Sequence, residues 1–79
     1  MIYAGKGSDY INYYAGDGNE TIYNADAGDN ILCNGCSVIS DNLISNDAVL
    51  NINTGRIITL KNVVGKSIFI SGLGTKTFS

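Results

Sequence analysis

Proline, histidine and tryptophan are missing from this 79-residue chain, cysteine occurs twice, and only 15% of its residues are charged. Each absence closes a route. Without histidine there is no imidazole to serve as a base near neutral pH, and no serine stands in a named motif with a base partner. The sequence therefore does not read as an enzyme. Two cysteines cannot by themselves fill the four positions of a structural zinc site. The five basic residues are scattered and the formal net charge is −2, which leaves nucleic acid no electrostatic footprint. No apolar run approaches a membrane span, and no basic stretch precedes an apolar one at the amino terminus. No segment has the apolar spacing of an amphipathic helix.

What remains is ten glycines among β-branched residues, tyrosine, asparagine and serine. That mixture suits strands and turns. It is organised as a repeat. Ala4-Gly5-Lys6-Gly7-Ser8-Asp9-Tyr10-Ile11-Asn12 is followed by Ala15-Gly16-Asp17-Gly18-Asn19-Glu20-Thr21-Ile22-Tyr23, and then by a worn copy, Asn24-Ala25-Asp26-Ala27-Gly28-Asp29-Asn30-Ile31-Leu32. Ile2 and Ile11 are nine residues apart, as are Ile22 and Ile31, while Tyr13-Tyr14 stretches the middle step to eleven. Ile2-Tyr3 reads as the tail of an earlier copy, so the chain is expected to be a piece of something longer.

One nonapeptide cannot bury its own isoleucine, but a stack of them can. Glycines permit positive φ in the turns, and the acid with inward carbonyls makes an all-oxygen site suited to Ca²⁺. The copies resemble the nonapeptide of the RTX (repeats-in-toxin, haemolysin-type) calcium-binding family, G-G-x-G-x-D-x-U-x, in which U is a large apolar residue. The resemblance covers residues 2–32. This chain departs from it at Ala4, Ala15 and Asn24 in place of the first glycine and at Glu20 in place of aspartate. The third copy has also lost the glycine pattern.

The resemblance implies a short parallel β-roll, or β-solenoid, with two nonapeptides per turn and Ca²⁺ between loops stacked on one side. Asp9 should then stack on Asp29, helped by carbonyls of Gly5 and Gly7 and of their counterparts near Ala25 and Ala27. Glu20 and Asp17, on the opposite side, offer at best half a site. The bland alternative is that these are solvated turn acids of a decayed array.

Beyond residues 1–32 the period fades through a transition at 33–46. In 47–79, Ala48, Leu50 and Ile52 alternate with Val49, Asn51 and Asn53, Ile58 and Leu60 alternate with Ile57, Thr59 and Lys61, and Ile68 and Ile70 flank Phe69. These read as three strands of an antiparallel β cap, which a solenoid needs to cover its last coil. The segment Asn53-Thr54-Gly55-Arg56-Ile57-Ile58-Thr59-Leu60-Lys61-Asn62 also resembles a stretch often found after the last repeats of RTX-like proteins. So small a domain has little core to spare, and metal, disulfide, partner or parent protein is expected to supplement it.

Cys33-Asn34-Gly35-Cys36 can be two free thiols or a local disulfide, and no βαβ context supports a redox motif. Five tyrosines, Tyr3, Tyr10, Tyr13, Tyr14 and Tyr23, sit in the repeat zone, either as cross-strand packing or as a stacking surface for carbohydrate. The functional expectation is a calcium-binding structural module from the C-terminal part of a secreted or surface bacterial protein. The alternatives are a metal-independent module that associates with itself, edge to edge or end to end, and a carbohydrate-binding adhesin fragment.

Overall fold

The computed structural model describes residues 2–3, 10–23 and 25–78, with backbone alone for residues 2 and 3. Nine strands run through them: β1 (Ile2–Tyr3), β2 (Tyr10–Tyr14), β3 (Glu20–Tyr23), β4 (Asn30–Asn34), β5 (Val38–Ile44), β6 (Asp47–Ile52), β7 (Ile57–Leu60), β8 (Ser67–Ile70) and β9 (Gly74–Thr77). There is no helix among the described residues. The protein is all-β.

Two sheets form, in the orders β1-β3-β7-β6-β5 and β2-β4-β8-β9. The first four strands alternate between them, so copies two apart become neighbours. Ile2 lies opposite Ile22 in parallel β1 and β3, and Ile11 lies opposite Ile31 in parallel β2 and β4. The ladder continues to Ile70 of β8 in one sheet and to Leu60 of β7 in the other, again in parallel. Ile11, Ile22, Ile31, Leu60 and Ile70 all point inward and are buried in one core shared by both sheets. The repeat isoleucine is therefore a core position in each described copy, because alternation sends every second side chain of a strand inward. Burying each such side chain contributes roughly 1.5–3 kcal/mol. The inserted Tyr13-Tyr14 lengthens β2, where these residues pair with Cys33 and Asn34 of β4.

The second half departs from the expected cap in two ways. An antiparallel meander does form, but its members are β5, β6 and β7 rather than β6, β7 and β8. Strand β8 crosses to the other sheet, pairs in parallel with β4 and makes a hairpin with β9. The crossover has a physical cause in Val63, which is fully buried and whose N–H donates to the Asn46 carbonyl at 2.8 Å. A loop that buries its own valine cannot be a solvent-facing hairpin turn. The transition at 33–46 is mostly strand, holding the end of β4 and all of β5.

One close approach fixes how the sheets meet. Gly72 has φ +96°, and a Cβ there would lie 2.7 Å from the Val38 carbonyl oxygen. Only glycine combines that backbone conformation with that clearance.

Candidate cation site

The third repeat loop runs from residue 25 to 29 and delivers the chain into β4. Gly28 takes φ +89°, and Gly16 and Gly18 of the preceding loop take +99° and +78°, the left-handed conformations that glycine allows without strain. Asp29 is fully buried, and its Oδ2 accepts a hydrogen bond from the Asp26 N–H at 2.8 Å. The Asp26 carboxylate in turn accepts from the Ala27 N–H at 2.9 Å. Both acids thus shape the loop as well as charging it. Ala25, one of the expected carbonyl donors, is buried with its carbonyl turned toward the next loop along the stack.

That next loop, residues 61–66, supplies a cation of its own. Lys66 Nζ donates to the Ala25 carbonyl oxygen at 3.1 Å and lies 3.6 Å from Asp26 Oδ1. The two loops are zipped together by Gly28 N–H to the Ser67 carbonyl and Phe69 N–H to the Asp29 carbonyl, each 3.1 Å. On this face of the 25–29 loop an ammonium bridges the two loops. Lys66 was not singled out from sequence. The available signal was its place immediately before a strand, as Asp29 precedes β4, with Gly65 ahead of it as Gly28 is ahead of Asp29.

The opposite face of the 25–29 loop is where Asp9, Gly5 and Gly7 were expected, and these three lie outside the described residues. Their strands are nonetheless in register: Tyr10, which follows Asp9, lies opposite Asn30, which follows Asp29. Glu20 begins β3 in the other sheet, so it is separated from Asp29 as expected. Asp17 is exposed and closes its own turn, its Oδ2 accepting from the Tyr14 N–H at 2.9 Å. Among the described residues no three histidine, cysteine, aspartate or glutamate side chains come together.

Cys33 and Cys36 are free, half-buried thiols at the edge of the core. Burial, reinforced by a hydrogen bond and charge from Cys36, pushes the Cys33 thiol up to about 12. Cys36 Sγ donates to the Asn34 carbonyl at 3.6 Å. Tyr13 is buried beside them and donates its hydroxyl to the Gly18 carbonyl. Its phenol is raised by burial first and then by Cys36 and Asp17. This cluster is a packed junction under the repeat loops. The tyrosines divide by face: Tyr13 joins the core, whereas Tyr10 and Tyr14 project outward. Comparison with protein families, with curated proteins and with solved structures returned no match for this chain.

Proposed function

We propose that this chain is a calcium-stabilised structural β-roll module, as its repeats suggest, serving in the C-terminal part of a secreted or surface-exposed bacterial protein. The observation that carries the reading is the parallel pairing of alternate copies, Ile2 with Ile22 and Ile11 with Ile31. That pairing is what two nonapeptides per turn require. Ca²⁺ would be held by Asp9 and Asp29 with loop carbonyls, neutralising two carboxylates that otherwise repel. Because the unfolded chain has no preformed site, binding free energy adds to folding free energy.

Affinity of the extracellular kind, on the order of 10⁻⁴ to 10⁻³ M, makes about 10 mM CaCl₂ at least tenfold over the dissociation constant. Linkage then gives about 1.4 kcal/mol or more, a rise in melting temperature of roughly 5–10 °C for a domain of this size. Melts in EGTA and in CaCl₂ measure it. Identical melting temperatures, or an unchanged calcium response in Asp9→Ala, would remove the site.

A second reading, a metal-independent module that associates through its open strand edges, is favoured by Lys66. Its ammonium, bonded to the Ala25 carbonyl, supports this reading as a contact between neighbouring loops made by a side chain. Indifference to EGTA, together with concentration-dependent sedimentation, would select this reading over the first.

A further inference from the structure

The outer face of the four-stranded sheet is composed unlike the rest of the surface, and we propose that it binds a neutral polysaccharide. Tyr10 is 72% exposed, Tyr14 54% and Phe69 38%, whereas Tyr13 is buried and Tyr23 half covered. Tyr10 and Tyr14 stand on one face of β2, four residues and so about 13 Å apart. Asn30 lies opposite both Tyr10 and Phe69 in the register, which puts Phe69 two strands, about 9.6 Å, to the side of Tyr10. Three rings thus mark out a platform wider than a single sugar ring, so the ligand is a chain.

The groups between the rings are amides and one aliphatic side chain, Leu32, which shares the outward side of β4 with Asn30 and Asn34 and lies opposite Asn12. Asn12, Asn30 and Asn34 point to the same side, and Asn34 Nδ2 donates to Asn12 Oδ1 at 3.3 Å, tying β4 to β2. An amide offers two donors and an acceptor, the complement of a sugar hydroxyl that both gives and receives. Aromatic rings cover the C–H faces of a pyranose and lose little side-chain entropy in doing so. No charged residue projects outward from β2, β4, β8 or β9. Lys76 of β9 lies opposite inward-facing Ile68 and reaches Asp41 at the sheet edge, 3.7 Å away. The outer face of the other sheet, by contrast, carries the Lys61–Asp47 ion pair.

That neutrality chooses among ligands. Nucleic acid also stacks on aromatics but needs a basic track, and an anionic membrane needs lysine or arginine beside its apolar anchors. An uncharged face of rings and amides around one leucine matches an uncharged glycan, whose pyranoses present both C–H faces and hydroxyls. It is independent of calcium at the loops, so melts in EGTA and glycan retention can fail separately.

The test is retention of the isolated chain by insoluble chitin and cellulose, and retardation in gels containing laminarin or xyloglucan, with polygalacturonate as the anionic control. Retention by at least one neutral polysaccharide is expected, undiminished in about 0.5 M NaCl because no ion pairs are involved. Tyr10→Ala and Tyr14→Ala should each weaken it about tenfold, as expected for one lost stacking contact. Ile44→Ala, on the other sheet, and the ring-preserving Phe69→Tyr should bind as the parent does. Matched melts identify any variant that fails to fold, and Phe69→Tyr then keeps the comparison on a folded protein. Retention by none of the neutral polysaccharides, retention by polygalacturonate alone, or full binding by Tyr10→Ala and Tyr14→Ala would overturn the proposal. A dimer dissolved by Tyr10→Ala would also overturn it, since a second copy would then own the face.

Discussion

A lysine ammonium and a calcium ion ask different things of the oxygens around them. Calcium wants six to eight oxygens and accepts flexible geometry, whereas an ammonium is satisfied by three acceptors and carries one charge. Lys66 therefore suits the end of the stack, where one carbonyl and one carboxylate are on offer from Ala25 and Asp26. Its ion pair is partly exposed and contributes little, so most of its effect lies in the hydrogen bond to a buried residue's carbonyl. Lys66→Met should cost about 1–2 kcal/mol. Lys76→Met, which loses only a surface pair with Asp41, should cost no more than about 1 kcal/mol. Urea unfolding of both variants decides this, and equal losses would mean that the ammonium does not brace the loop. The repeat pattern marked Asp29 as a cation ligand; the structure buries it completely, with its Oδ2 accepting from the Asp26 N–H. Lys66 stayed hidden because its partner Ala25 is 41 residues away, and a single chain's spacing says nothing about such a contact.

At the scale of elements, strand positions were easier to read than strand neighbours. The alternation of Ala48, Leu50 and Ile52 and of Ile58 and Leu60 marks β6 and β7, and all five side chains are in the core. Alternation identifies which face is buried. It does not say which strand lies alongside, so the crossing of β8 to the second sheet was not legible. What holds the meander in place is a carboxylate. Asp47, at the start of β6, accepts from the Asn62 N–H and from Lys61 Nζ, each at 2.9 Å, and so ties itself to the end of β7. The backbone hydrogen bond, with Lys61 second, holds the Asp47 carboxyl below its ordinary value, and Asp47 holds Lys61 above its own. A carboxyl lowered in the folded state contributes stability above its unfolded pKa, about 3.9, and that contribution disappears as pH falls through the lower folded value. Melting temperature should accordingly drop below about pH 4, and Asp47→Asn should flatten that part of the acid limb while lowering the plateau at pH 7. A parallel displacement of the whole curve would show that Asp47 is not the titrating group.

For the whole molecule, the two ends of the larger sheet are unlike each other. Edge strand β5 carries a bulge between Val38 and Ser40, and its Asp41 is paired with Lys76 of the other sheet. Bulges and inward charges are two ways of discouraging a further strand. At the other end, β1 and β2 are the outermost strands of their sheets. Added repeats would extend the sheets there, and in isolation the same edge is expected to recruit a second copy. Sedimentation should show association that rises with concentration and that Ile2→Pro reduces, since proline removes a ladder N–H. A monomer at high concentration, with a protected Ile2 amide in hydrogen exchange, would mean that this edge is already covered.

The parallel ladder also sets an order in time. Asn19 meets Ile57 and Ala25 meets Lys66 across 38 and 41 residues of chain, so the repeats cannot acquire their inner neighbours until the late strands exist. On a ribosome, β3 and β4 would emerge with one flank bare, and the lysine that braces the 25–29 loop would follow 41 residues after its partner Ala25. Loops of that length must close before the ladder rewards them, and dependence on distant contacts favours slow folding. Until β7 and β8 pair with β3 and β4, the isoleucine ladder is exposed to any other strand nearby.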